Sequence, residues 1–472
     1  MPPSPLGDFM RCELLLSGGH LLTMDDRRTV HEPGSLALKD GLIAAVGPAS
    51  EIDGAWEADR VVDCRDRAVL PGFTDGHTHL FQGLARGLGE GLSIWPWLSE
   101  FMWPYAIAVD TEDARVAATL GAVEALRSGI TTVVDNHYAP TDAGSVLAVA
   151  QALESAGLRG AVARGMAGSR TEIAKLRGLP EELHRYSDAE ELEITRDCMQ
   201  QRPPGSAVEI WPAPLNLSYG SQDLVRGAVE LAESFGTRWH THCSEGAKDP
   251  ESYLAAHGVR PVEWLAREGL LDERATLAHA IWLDDFEVGE IGGSGAAVAH
   301  NPTSNAYLAS GTARLRDLRR EGATVALGTD GPSCGHRQDM FEVMKQTLFA
   351  QRLRTLDPAS VRCEEALELA TREGGAYAGL GAGTLVAGAP ADVAVVALDR
   401  PHLRPLHRVV AALVYSARGS DVELTVVGGR VVFEDGRCVL VDEKALLAEA
   451  QERAERLVAR AGLAGLCVPW AD

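Results

Sequence analysis

TVALGTDG, residues 324–331, is an almost unbroken apolar run that turns polar only at its end. A strand of this kind suits a parallel sheet covered on both faces, because an open sheet with one wet face would alternate apolar and polar residues. Working outward, seven further runs of the same character lie between Arg67 and Gln351: AVLPGFTDGHTH (68–79), GITTVVDNH (129–137), GAVARGMAG (160–168), AVEIWPAPLN (207–216), TRWHTHCSE (237–245), ATLAHAI (275–281) and GAAVAHNP (295–302). Longer stretches rich in Ala, Leu and Glu separate them, such as Glu112 to Arg127 and Asp223 to Phe235. Eight repeated βα units predict an α/β fold of the (β/α)8 TIM-barrel class, in which catalytic groups gather at the C-terminal ends of the strands.

The flanks read differently. Cys12 to Arg60 and Gly381 to Val441 are short strands with glycine turns, and Glu443 to Arg460 is an amphipathic helix. The predicted organisation is a small β-sandwich domain built from both termini (1–65 and 381–441), a catalytic barrel (66–380), and a C-terminal helix and tail (442–472) that serves packing or dimerisation.

A chain of 472 residues has room for both units, and 46% hydrophobic against 24% charged residues describes a packed globular body. The net charge of −23 argues against nucleic acid and anionic membrane as partners, since phosphate binding calls for a basic surface. A small-molecule partner is expected instead. The eight cysteines show no C-x-x-C spacing, which fits free thiols in a reducing compartment. No apolar run reaches membrane-spanning length and the first residues lack a signal-peptide pattern, so the expected location is the cytoplasm.

His77 and His79 stand two apart on an extended strand, so both imidazoles point to one face. An isolated pair could equally be solvated or core histidines. The other strand ends weigh against that: His242, His279, His300 and Asp330 close four further strands, and an unpaired buried ionisable group is costly in a core.

The motifs PGFTDGHTHLFQGLARG, HTHCSEG, LAHAIWLDD, VAHNPTSNAYLASG and GTDGPS resemble the amidohydrolase superfamily, and within it the branch of triazine hydrolases, S-adenosylhomocysteine deaminases and 8-oxoguanine deaminases. The resemblance spans nearly the whole chain. It implies His77, His79, His242 and Asp330 as ligands of a divalent metal ion, with Glu245, His279 and Asp330 as catalytic residues. Two-metal members of the superfamily bridge their ions with a modified Lys or a Glu at the end of strand four. Strand four here ends in WPAPLN, and the one lysine between the first ligand strand and strand five is Lys175, in TEIAKLRG. One ion is therefore expected: zinc first, with ferrous iron and manganese tolerating a similar ligand set. Such an ion lowers the pKa of coordinated water from 15.7 to about 7. Asp330 would take the water's proton, Glu245 would protonate a ring nitrogen, and His279 would hydrogen-bond the attacking water or polarise the developing oxyanion.

For substrate binding the candidates are Gln82, Trp95, Trp97 and Trp103 after strand one, and His300 and Asn305 around strand seven, with aromatic rings placed to stack a planar heterocycle. The deaminase relatives carry a histidine near the end of strand four where this chain has Leu215 and Asn216, which points away from a standard adenosine-type substrate. The loop after Asp330 also departs, with Cys334, Gly335 and His336, and Cys334 is a candidate redox-sensitive thiol.

The expected activity is release of ammonia from an amino-substituted purine, pterin, pyrimidine or triazine by a homodimer or higher homo-oligomer. Alternatives on the same water activation are displacement of chloride or an alkylamine from a triazine-like ring, and hydrolysis of a cyclic amide or imidazolone. A non-catalytic scaffold would predict missing ligands, and every expected ligand is present.

Overall fold

The computed structural model describes residues 10–139 and 142–467. The first nine residues of the predicted β domain and the last five of the predicted tail lie outside them. In chain order the strands are β1 (Met10–Leu22), β2 (Val30–Lys39), β3 (Leu42–Pro48), β4 (Trp56–Asp63), β5 (Arg67–Pro71), β6 (Phe73–Thr78), β7 (Ile130–His137), β8 (Arg159–Met166), β9 (Val208–Pro214), β10 (Trp239–Cys243), β11 (Ala275–His279), β12 (Ala297–His300), β13 (Thr324–Leu327), β14 (Val393–Ala397), β15 (Val422–Val427), β16 (Arg430–Glu434) and β17 (Arg437–Cys438).

Both flanks enter one nine-stranded sheet, in the order β17-β16-β15-β14-β5-β1-β2-β3 with β4 on the side of β1. The ladder is continuous, which differs from the two facing sheets expected of a sandwich. Its continuity comes from β1, thirteen residues long, which pairs in parallel with β4 over Met10 to Ser17 and with β5 at His20 and Leu21. The two ends of the chain meet where β5 runs antiparallel to β14, Pro71 opposite Val393. Leu16, Leu36, Val69, Val393 and Leu424 form a shared apolar cluster on this sheet.

As a sequence, residues 68–79 read as one barrel strand. The chain instead divides at Gly72, with β5 in the nine-stranded sheet and β6 in a parallel one. A Cβ at Gly72 would lie 2.2 Å from the Thr131 side chain, so only glycine makes this step.

The remaining eight strands form two four-stranded parallel sheets, β6-β7-β8-β9 and β10-β11-β12-β13. Helices follow the strands, among them Thr111–Arg127, opened by a capping box on Asp110, and Gln222–Phe235, opened by Ser221. The sheets meet at both ends: Leu217 N donates to His242 O at 3.1 Å, and Asp330 N donates to His77 O at 2.9 Å. Between them lies a small cluster dominated by alanines, Ala161, Ala163, Ala213, Ala297, Ala299 and Ala326, closed by Trp211 and Tyr377. Small residues there let the strands converge, and a Cβ at Gly76 would sit 2.8 Å from that of Ala326.

Helix Glu443–Arg460 turns Leu446, Ala450 and Leu457 inward, and Arg453 and Arg460 both pair with buried Asp113 of helix Thr111–Arg127. Its apolar side is therefore occupied by its own chain. Among the described residues no helix is long and apolar enough to cross a membrane.

Candidate metal centre

At the C-terminal ends of the parallel strands four buried side chains converge. His77 and His79 leave β6, His242 lies in β10, and Asp330 follows β13. Asp330 Oδ1 lies 3.6 Å from His77 Nε2 and 3.3 Å from His79 Nε2, and the Nε2 atoms of His79 and His242 are 3.2 Å apart. His79 Nδ1 donates to Asn136 O at 2.7 Å and His242 Nδ1 to Leu215 O at 2.8 Å. A neutral imidazole carries one N–H, so each ring presents a bare Nε2 lone pair to the other. Burial holds both rings below the ordinary histidine range, which keeps them neutral. His77 Nε2 has no hydrogen-bond partner. Lone pairs and a carboxylate oxygen brought together without a proton between them suit a cation, and three imidazole nitrogens with one carboxylate are a fitting donor set for a divalent transition ion.

Behind this cluster, Asp75 accepts from Thr329 N at 3.0 Å and from Thr329 Oγ1 at 2.5 Å, so it ties β6 to the segment that carries Asp330. Burial pushes its carboxyl up to about 7.

Glu245 and His279 complete the same wall. His279 Nε2 lies 3.7 Å from Glu245 Oε2 and 3.7 Å from Asp330 Oδ2. His279 Nδ1 lies 2.9 Å from Asn305 Oδ1, which fixes the ring's orientation. Burial would lower His279, but the carboxylates of Glu245 and Asp330 reverse this and raise it. Glu245 accepts a hydrogen bond from Ser310, and burial pushes it up to about 7, so near neutrality it can carry a proton. Ser244, His279, Ala280 and Asp330 all have positive φ, from 46° to 69°, at three of the strand ends that build the centre.

A cavity of about 40 Å³ lies over these groups. Gln82, Trp97, Trp103, Tyr138, Asn216 and Cys334 are among the side chains that line it. Of the candidates for substrate contact, Gln82, Trp97 and Trp103 reach the wall, but Gln82 has both ends occupied, accepting from Ser333 and donating to Tyr138 OH at 2.7 Å. Three others do not reach it. Trp95 packs on Tyr219 under the Arg177 guanidinium, 4.5 Å away. Asn305 is held by His279. His300 is buried beside the centre with neither ring nitrogen hydrogen-bonded.

Lys175 lies in helix Glu172–Leu176, paired to Glu172 at the surface. Cys334 reaches the cavity, but burial holds its thiol well above the ordinary range, which opposes the reactive thiolate its position suggested. His336 packs edge-on against Tyr307, away from the cavity wall. Asp75, Asn136 and Tyr138 are not among the residues the sequence singles out. Of these only Asp75 left a trace, two residues before His77 on the same face of its strand.

The pattern described as the amidohydrolase family matches residues 68–432. A 5-methylthioadenosine/S-adenosylhomocysteine deaminase of Nitratidesulfovibrio vulgaris is 33% identical over 444 residues, covering 93% of this chain and 97% of that protein. A 5'-deoxyadenosine deaminase of Methanothermobacter thermautotrophicus is 30% identical over 94% of this chain and 98% of its own. Among solved structures, an adenosine deaminase from Xanthomonas campestris with bound zinc superposes with a TM-score of 0.88 at 26% identity, covering 96% of this chain and 100% of that one. Atrazine chlorohydrolase from Arthrobacter aurescens, complexed with zinc, gives 0.86 at 24% identity over 93% of this chain and 100% of that one, a likeness of fold.

Proposed function

The chain belongs to the amidohydrolase family, and from that membership and the geometry of the centre we propose that it is a metal-dependent aminohydrolase that releases ammonia from an amino-substituted N-heterocycle. One observation carries the reading: bare nitrogens of His79 and His242 and the Asp330 carboxylate converge beside a buried glutamic acid, on one wall of one cavity. The relatives named as deaminases of adenosine-type nucleosides support the same chemistry.

His77, His79, His242 and Asp330 would hold a single ion, zinc in the first instance, with ferrous iron or manganese as alternatives. When bound, the ion supplies Lewis acidity that eases deprotonation of water near neutral pH. Asp330 accepts the water's proton as the oxygen attacks the amino-bearing carbon. Glu245, kept protonated by burial, donates to the neighbouring ring nitrogen, and His279, oriented by Asn305, stabilises the attacking oxygen. The proton held by Asp330 then passes to the amino group, the C–N bond breaks, the remaining hydroxyl proton returns to Glu245, and ammonia leaves a ring carbonyl. Ile94, Trp97 and Leu98 line the same cavity beside these groups, apolar surface suited to a planar ring.

We read the two parallel sheets as halves of one closed (β/α)8 barrel, supported by the backbone hydrogen bonds at both junctions, with residues 66–380 as the catalytic unit and 1–65 with 381–441 as the composite β domain. We place the protein in the cytoplasm. Its homodimer contact would use the barrel loops and the helices beside them, where Trp282, Phe286 and Leu353 are exposed, because the terminal helix packs on its own chain.

Metal-replete protein should release ammonia from at least one member of a panel containing 5'-deoxyadenosine, 5-methylthioadenosine, aminopurines, aminopterins, aminopyrimidines and aminotriazines. Release of chloride or an alkylamine from triazines, with no ammonia from any member, would overturn the reading in favour of ring dehalogenation or dealkylation.

A further inference from the structure

Of the three imidazoles read as ligands, His77 is the one whose Nδ1 does not face a backbone carbonyl. It faces another histidine instead: His240 Nε2, at 2.9 Å. Such a contact is ambiguous on its own, because either ring can carry the shared proton. The next contacts remove the ambiguity. His240 Nδ1 lies 2.9 Å from Thr276 Oγ1, and Thr276 Oγ1 donates to Trp239 O at 2.7 Å.

A carbonyl oxygen can only accept. With its single proton directed to Trp239 O, the Thr276 hydroxyl can only accept from His240, so the proton of His240 sits on Nδ1. Its Nε2 is then a bare acceptor, and His77 must donate to it from Nδ1. That leaves Nε2 of His77 without a proton, aimed at Asp330 and the other two imidazoles, where it has no hydrogen-bond partner. Tyr377 OH lies 3.4 Å from the Nδ1 of His240, where its oxygen can accept as a second and longer partner. All of these side chains are buried, so water does not compete for the contacts.

We infer that His240 and Thr276 form a one-way hydrogen-bond relay, anchored on the Trp239 carbonyl, that locks His77 into its ligating tautomer, which makes His240 a positioning residue for the metal centre. The relay reaches from one parallel sheet to the other, since His77 is on β6 while His240 and Thr276 are paired residues of β10 and β11. The inference rests on the reading of the centre as a metal site, but the direction of the relay does not.

Two readouts separate these layers. Nitrogen-15 spectra of metal-free protein, with histidines assigned by substitution, should show His77 protonated on Nδ1 and His240 on Nδ1. An Nε2-protonated His77 overturns the relay whether or not metal binds. Zinc affinity of the metal-free protein, measured by chelator competition, should fall about tenfold to a hundredfold in His240→Phe, the range for loss of an outer partner of a metal-bound histidine. It should recover in part in His240→Gln, whose side-chain oxygen can accept from His77. Thr276→Val should weaken zinc binding and Thr276→Ser should retain it, which keeps the test open if a substitution at 240 fails to fold. Zinc affinity within twofold of wild type in both His240→Phe and Thr276→Val overturns the inference. Wild-type protein that binds no zinc would overturn the metal reading instead.

Discussion

The two parallel sheets have the same strand count and direction, yet their strand ends are used differently. In the second sheet and the loops leaving it, His242, Glu245, His279 and Asp330 all face one another across the cavity. In the first, among the described residues, only β6 places side chains in the ligand cluster, while Asn136 and Leu215 lend backbone carbonyls to its rings. The other polar ends find partners within their own layer: Arg164 pairs with Glu191 at 2.6 Å, both buried, and His137 lies 3.2 Å from Ser145 Oγ. The difference shows that buried ionisable character does not mark a site. A buried arginine with its own glutamate is structure, whereas lone pairs converging on one another without a proton are a place for a ligand.

That contrast can be broken by substitution. The largest effect is expected from Asp330→Ala, which removes one oxygen common to His77 and His79: zinc content of purified protein should collapse and turnover should disappear. Zinc retained at wild-type stoichiometry would remove Asp330 from the ligand set. Glu245→Gln comes next, with kcat down by about 10² to 10⁴ and zinc content unchanged, measured on the best substrate of the ammonia panel. In the first sheet, Glu191→Ala should cost about 3–5 kcal/mol of stability by stranding buried Arg164, read by denaturant unfolding, while kcat per folded molecule stays at the wild-type value. A large fall in kcat there would erase the distinction between the sheets. Asn305→Leu, which frees the His279 ring, should lower kcat by about 10² with little change in stability. The smallest effect is expected at His300, buried without a partner and off the cavity wall. His300→Leu should be neutral or stabilising by about 1–3 kcal/mol and leave kcat within twofold.

Much of this was legible in the sequence. The eight apolar runs each overlap one of β6 to β13, the first of them β5 as well, and the terminal helix spans Glu443–Arg460 as its periodicity predicts. The four ligand candidates come together because two of them share a strand face and the others close the two edge strands of the second parallel sheet. What stayed hidden depended on long-range contact. Nothing local in AVLPGFTDGHTH says that Gly72 parts it between two sheets, since the cause is Thr131, far along the chain. Trp95 and Trp97 are equally aromatic and nearly adjacent, yet one packs under Arg177 and the other faces the cavity. His240 reads as a core histidine until its distances to His77 and Thr276 are known.

The left-handed backbone at Ser244, His279, Ala280 and Asp330 bears on how this chain can vary. Each non-glycine residue held there costs on the order of 1–3 kcal/mol, and glycine would relieve it. At 244 and 280 that exchange is open, and a chain drifting toward greater robustness would be expected to take it. At 279 and 330 it is closed, because relief would delete the imidazole or the carboxylate. The centre is thus where thermal robustness and chemistry make opposite demands on the same backbone, and attempts to harden this protein should leave those two positions alone.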